Sequence, residues 1–135
     1  MISDIKYGVS TWLWESPFNT KSVALFPKIK KMGFDLVEIP VEDPELIDGQ
    51  AIKRALDHNG LQAIVCGAFG PTKDLTHKDT AVHQNCFNYI EQCFQLCNLW
   101  GVDFLAGPMY AAVGKARMLP GEERKQEWDL AVRNV

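Results

Sequence analysis

Strand-like apolar runs alternate with helical patterns along this chain, and no other feature constrains its fold as strongly. The four runs cover residues 7–12, 36–41, 61–66 and 102–107. They are apolar on consecutive residues, which is typical of strands that are covered on both faces. Strands that alternate with helices predict parallel βαβ units with right-handed crossovers. This spacing fits a three-layer open sheet and a barrel equally well.

Helical patterns occupy the stretches between these runs. The first covers residues 22–32, where Pro27 is awkward inside a helix, so the helix is expected to start near Ser22 or Leu25. The second covers residues 51–58. The third is the clearest, because Asp79 is a suitable N-cap, an apolar stripe follows it, and Gly101 ends the pattern.

A fourth helical pattern follows Pro120 and Gly121 and continues to the last residue. Its apolar residues have i, i+3, i+4, i+7 spacing, and they are Trp128, Ala131, Val132 and Val135. No glycine, proline or capping sequence follows them. We therefore expect residues 1–135 to be a single domain that is truncated in its fourth helix, with natural termination as the alternative.

Composition and charge exclude several classes of partner. The chain of 135 residues has a net charge of −3 and a pI near 5.6, so no basic surface for nucleic acid is expected. Its apolar runs are far shorter than the roughly 20 residues that a membrane span needs, and its N-terminus shows no secretory signal. We expect the four cysteines to be buried thiols rather than disulfides or metal ligands, which favours a cytoplasmic location.

Several segments resemble known sugar isomerases. Residues 7–14 (YGVSTWLW) and 33–39 (GFDLVEI), taken as the first and second strands, are similar to the xylose-isomerase-like barrels. Residues 70–77 (GPTKDLTH) and 106–110 (AGPMY), after the third and fourth strands, resemble more narrowly the D-tagatose/D-psicose 3-epimerases. The resemblance covers essentially the whole chain. It implies an α/β fold in which parallel (β/α) repeats form strands one to four, the first half of a TIM (β/α)8 barrel.

The resemblance also implies a reaction, which is the metal-dependent C3 epimerisation of a free ketose through an enediolate in the intact protein. Such enzymes bind a divalent metal (Mn²⁺, Mg²⁺ or Co²⁺) through two glutamates, an aspartate and a histidine on strands five to eight, and the two glutamates move the proton. These positions lie outside the present sequence. We therefore assign no catalytic and no metal-binding residue to this chain, and we expect the chain alone to be inactive.

The resemblance implies that this chain supplies the side of the active site that contacts the sugar. Barrel active sites lie at the carboxyl ends of the strands, and the candidate substrate-binding residues there are Trp12, Trp14, Glu38, Cys66, Gly67, Gly107 and Tyr110. The tryptophans would pack on the apolar face of a sugar. Glu38 stands alone in an apolar run and is expected to be paired or hydrogen-bonded. For Glu38 the alternative is a buried structural ion pair, and for the other residues it is packing within the barrel.

Several alternatives stay open. A hydroxypyruvate isomerase or an inosose dehydratase would have a similar first half, whereas a phosphodiesterase resembling endonuclease IV would need histidine ligands at early strand ends. A non-catalytic half-barrel that acts only after assembly with a partner is the alternative from another class. Because a half-barrel exposes sheet edges and apolar surface, we expect a homo-oligomer or association with the missing C-terminal half. The expected small-molecule partner is a ketose.

Overall fold

The computed structural model describes residues 5–135, and its core is one parallel sheet covered by helices. The strands are β1 (Gly8–Ser10), β2 (Leu36–Val41), β3 (Gln62–Gly67) and β4 (Leu105–Ala106). The α-helices are α1 (Phe26–Lys31), α2 (Gly49–Asn59), α3 (Thr80–Trp100) and α4 (Gly121–Asn134). Short 3₁₀ helices cover Thr11–Leu13, Thr20–Leu25 and Pro44–Leu46.

The strands lie in the sheet in the order β1-β2-β3-β4, and all three pairs are parallel. In this register Glu38 of β2 lies between Ser10 of β1 and Ile64 of β3. Two residues further toward the carboxyl ends of the strands, Cys66 of β3 lies between Pro40 of β2 and Ala106 of β4. The predicted parallel βα repeat is therefore confirmed.

The two faces of the sheet differ in burial because side chains alternate along each strand. On one face, Val37, Ile39, Val41 and Val65 are completely buried and join the hydrophobic core with side chains of α1, α2 and α3. On the other face, several residues retain solvent contact. We call this the open face, and its half-buried residues are Ser10, Leu36, Glu38, Ile64 and Ala106.

The first and fourth strands are shorter than predicted. The strand expected over residues 7–12 ends at Ser10, because the Oγ of Ser10 accepts the Trp12 N–H and starts a 3₁₀ turn. The strand expected over residues 102–107 begins only at Leu105. The N–H of Val102 instead bonds to the carbonyl of Cys97 at 2.9 Å, as part of the end of α3.

The first helical pattern is also wrong in detail. Residues Thr20–Leu25 form a 3₁₀ helix, and the α-helix starts at Phe26, which places Pro27 in its first turn, where its missing N–H is tolerated. The third helix agrees closely with the prediction. Asp79 caps it by accepting the Ala81 N–H at 2.9 Å, and Gly101 follows its last residue.

Helix α4 has no buried residue. Of its predicted apolar stripe, Ala131 is half-buried, whereas Trp128, Val132 and Val135 are mostly exposed. The four cysteines are buried and unpaired, as predicted. Among residues 5–135, no helix combines the length and apolar character that a membrane crossing requires.

Candidate functional site

Four loops follow the carboxyl ends of the strands and surround the upper edge of the sheet. The first loop covers residues 11–25, the second 42–48, the third 68–79 and the fourth 107–120. Most of the sugar-contact residues predicted from the sequence lie on these loops or on the last residues of the strands.

Glu38 lies in the middle of the open face. Within residues 5–135 its carboxylate forms neither an ion pair nor a hydrogen bond, and the side chain is half-buried. The alternative of an ion pair within residues 5–135 is therefore not formed, whereas a bond to a sugar hydroxyl stays a prediction. An acceptor in this position is available to a hydroxyl group of a ligand.

Cys66 lies on the same face near the carboxyl end of β3, but it is 8% exposed. Burial, and secondarily the negative charge of Glu38, raise the pKa of the Cys66 thiol to about 11. Cys66 is thus a neutral thiol at physiological pH and not a nucleophile. This environment suits a residue that lines a pocket or packs in the core.

The two tryptophans of the first loop have different surroundings. Trp12 lies in the 3₁₀ turn after β1 and is 43% exposed. Trp14 is half-buried and packs against the core, with the ammonium of Lys28 lying 5.4 Å from its ring centroid. Trp12 therefore offers free aromatic surface, whereas the ring of Trp14 is largely engaged within the protein.

Gly67 and Gly107 lie where β3 and β4 approach each other and Phe69 closely. A Cβ on Gly67 would lie 2.5 Å from the Phe69 ring, and a Cβ on Gly107 would lie 2.6 Å from the Gly67 carbonyl oxygen. Gly107 also has a φ of 137°, which side-chain-bearing residues rarely adopt. The packing of the sheet itself thus requires glycine at both positions.

Tyr110 is separated from the other candidates by its surroundings. It is 66% exposed and lines a cavity between the fourth loop and α4, together with Thr76, Lys115 and Trp128. A second cavity, lined by Leu36 and other residues, lies at the amino-terminal ends of the strands. It is on the wrong side for a barrel active site.

Charged residues that the sequence analysis missed connect the loops. The Glu42 carboxylate accepts hydrogen bonds from Ser16 Oγ at 2.6 Å and from the Phe18 N–H at 3.2 Å. Lys73 Nζ donates to the Glu42 carbonyl oxygen at 2.9 Å and lies 3.9 Å from the ring centroid of Tyr89. The first, second and third loops are therefore joined through these side chains.

The third and fourth loops are joined by a buried ion pair. Asp74 is 3% exposed, and its carboxylate accepts from Lys115 Nζ at 2.8 Å and from the N–H and Oγ1 of Thr76. Desolvation opposes the charge of Asp74, but these hydrogen bonds and the Lys115 charge outweigh it, so the pKa of Asp74 is lowered.

Tyr89 of α3 forms hydrogen bonds with the backbone at the carboxyl ends of β2 and β3. The hydroxyl of Tyr89 donates to the Val41 carbonyl oxygen at 2.5 Å and accepts the Ala68 N–H at 2.7 Å. Its ring meets Phe69 edge to face, with the centroids 5.4 Å apart. The ends of β2 and β3 are thus held in one position relative to α3.

The described residues do not fit a divalent-metal site. Within residues 5–135, no three His, Cys, Asp or Glu side chains lie close enough together to hold a metal ion. A metal bound at this edge of the sheet would need ligands from outside the chain.

Two of the curated proteins that match this chain are described as ketose 3-epimerases. It is 28% identical over 121 residues to a probable ketose 3-epimerase of Synechocystis sp., covering 90% of the chain and 42% of that protein. It is also 28% identical over 112 residues to a ketose 3-epimerase of Arthrobacter globiformis, covering 82% of the chain and 39% of that protein. No protein-family model matches the chain.

The fold is similar to that of a solved epimerase. The D-allulose 3-epimerase of Methylomonas sp., solved in complex with D-allulose, superposes with a TM-score of 0.81 at 22% identity, over 96% of the chain and 46% of the epimerase. The chain thus spans less than half the length of these proteins. The first-half barrel fold and the resemblance to ketose 3-epimerases are confirmed.

Proposed function

We propose that this chain is the substrate-binding half of an isomerase that inverts C3 of a free ketose. The similarity to ketose 3-epimerases in both sequence and fold, over nearly the whole chain, is the observation that carries this proposal. The reaction class moves a proton next to a carbonyl group through an enediolate. The acid and base carboxylates, and the side chains that would hold the divalent metal, would come from residues outside this chain.

The chain's own residues would bind and orient the sugar. Glu38 would accept a hydrogen bond from a sugar hydroxyl, since its carboxylate is half-buried and has no partner within residues 5–135. Trp12 would cover the apolar face of the sugar with its exposed ring. The backbone at Gly67 and Gly107 would form the floor beneath the ketose, with Cys66 beside it. Trp14 and Tyr110 are the weaker candidates, because Trp14 contacts Lys28 and Tyr110 lies toward α4.

A titration with ketoses tests the binding role. D-psicose, D-tagatose and D-fructose are added to the isotope-labelled chain, and amide chemical shifts are followed by NMR. Shifts are expected along β2 and the first loop, and Trp12→Ala or Glu38→Gln should weaken binding about tenfold or more. Trp128→Ala is the matched control, because Trp128 is another exposed tryptophan that lies on α4. Wild-type shifts confined to α4 would contradict the assignment.

An activity assay tests the division of labour. The chain alone, supplied with Mn²⁺, is expected to show no interconversion of ketose epimers by chromatography. Turnover at rates typical of an enzyme would show that the acid, the base and the metal ligands lie within these 135 residues, and the proposal of a binding half would be wrong.

The proposal extends to assembly with a second copy or with a complementary half. The open face and the exposed apolar side chains of α4 would be covered in such an assembly. Sedimentation analysis over a range of dilutions measures this. A monodisperse monomer at all concentrations would contradict self-association, and the complementary half would then be the required partner.

A further inference from the structure

The four loops around the proposed sugar site form one continuous set of polar contacts within the described part of the chain. Glu42 joins the second loop to the first through Ser16 and Phe18. Lys73 joins the third loop to the second through the Glu42 carbonyl oxygen. Asp74 joins the fourth loop to the third through Lys115. Every link uses residues of this chain.

The first and last links hold the loops that carry predicted sugar contacts. The first loop contains Trp12 and is held to the second loop by both carboxylate oxygens of Glu42, which bind two different groups. The fourth loop begins at Gly107 and is held at two points, by the Val113 N–H bonded to the Phe69 carbonyl oxygen at 2.8 Å and by Lys115 bonded to Asp74. Glu42 and Asp74 themselves lie on neighbouring loops.

We propose that Glu42 and Asp74 are positioning residues, which fix the first and fourth loops in the arrangement that binds a ketose. This inference rests on the proposed function for the identity of the ligand. The restriction of loop motion by Glu42 and Asp74 does not depend on it. Neither residue needs to touch the sugar. Each acts by holding a neighbouring loop, and the two effects are separate because Glu42 and Asp74 hold different loops.

Hydrogen exchange measured by mass spectrometry tests whether Glu42 and Asp74 restrict the motion of the loops. Glu42→Ala should speed amide exchange about tenfold in peptides of the first loop and leave the fourth loop unchanged. Asp74→Asn should do the reverse. Glu42→Gln keeps an acceptor oxygen and should restore part of the protection. Lys53→Met is the control, because it removes an ion pair with Asp57 on the surface of α2 and should change neither loop.

A positioning residue should speed amide exchange only in the loop that it holds, whereas a residue that stabilises the whole fold should affect both loops. Equal acceleration of both loops in each variant, or acceleration in neither, would overturn the inference. If Asp74→Asn does not fold, Lys115→Met removes the same ion pair from the other side, together with the contacts of Lys115 to Thr76 and Glu127, and keeps the hydrogen bonds between Asp74 and Thr76. It should loosen the fourth loop and leave the first loop unchanged.

Ketose titration of the same variants separates this inference from the proposed function. Both Glu42→Ala and Asp74→Asn should weaken D-psicose binding at least threefold, whereas Lys53→Met should not. Loosened loops with unchanged D-psicose affinity would overturn the positioning role. A wild-type chain that binds no ketose would overturn the proposed function and the part of this inference that concerns the sugar. Hydrogen exchange alone would then decide whether Glu42 and Asp74 restrict the motion of the loops.

Discussion

The two faces of the sheet have opposite properties although the same strands form both. Along β2, Val37 and Ile39 are completely buried beneath the helices, whereas Leu36 and Glu38 are half-buried on the open face. Burial of apolar area on the helix-covered face stabilises the fold. The open face contributes less to stability and keeps polar groups accessible. In β2, alternate residues thus differ in burial, with Val37 and Ile39 in the core and Leu36 and Glu38 accessible to solvent.

The largest expected effect compares two isoleucines on opposite faces of neighbouring strands. Ile39→Ala removes a completely buried side chain and should lower the free energy of unfolding by about 3–4 kcal/mol. Ile64→Ala, on the open face, should cost about 1 kcal/mol. Urea denaturation measures both. Equal losses would mean that the open face is covered in solution, and the loss for Ile64→Ala should then depend on protein concentration.

A smaller effect compares two glycines of the fourth loop. Gly107→Ala should destabilise the protein by about 2–4 kcal/mol, because its φ is 137° and the new Cβ would lie 2.6 Å from the Gly67 oxygen. Gly114→Ala should cost only about 1 kcal/mol, since its φ of 84° is unfavourable but no atom lies within 4 Å. Thermal unfolding measures the difference. Similar melting temperatures would show that β3 and β4 approach each other less closely than described.

The smallest expected effect compares a buried aspartate with an exposed one. The folded-state pKa of Asp74 is lowered, so its contribution of about 1–2 kcal/mol is present above its unfolded pKa of about 3.9 and is lost as the pH falls through the folded pKa. The stability difference between wild type and Asp74→Asn should therefore shrink on acidification below about pH 4. Denaturation from pH 7 to pH 2 measures it.

Asp57→Asn is the control for this pH dependence. Asp57 forms an exposed ion pair with Lys53 on α2, and such pairs contribute little to stability. The pH profile of Asp57→Asn should follow that of the wild type. If the two variants behave alike, the Asp74–Lys115 pair is more accessible to solvent than its burial indicates.

The sequence predicted the regular elements best where the local pattern is complete. The second strand was predicted with its observed bounds, and Asp79 and Gly101 delimit α3 as expected. The first and fourth strands were predicted too long. The Trp12 N–H bonds to the Ser10 side chain after the first strand, and the end of α3 occupies the beginning of the predicted fourth strand. Periodicity alone did not choose the barrel over an open sheet. That choice came from the resemblance.

The site was predictable only in part. Glu38 was proposed from the sequence because a carboxylate within an apolar strand is conspicuous, and its role in sugar binding stays a prediction. Glu42 and Asp74 were missed because charged loop residues are ordinary, and their importance comes from partners distant in sequence, such as Ser16 and Lys115. Which of the two tryptophans remains accessible was likewise decided by tertiary contacts, through Lys28 of α1.

The strict order of the strands has a consequence for how the chain folds. Each strand pairs with the strand that follows it along the chain, and no later segment is inserted between two earlier ones within residues 5–135. During synthesis the N-terminal part emerges first, so every new βα unit meets a finished edge formed by the unit before it. The sheet can therefore grow at the ribosome one unit at a time, without waiting for distant segments or displacing a pair that has already formed.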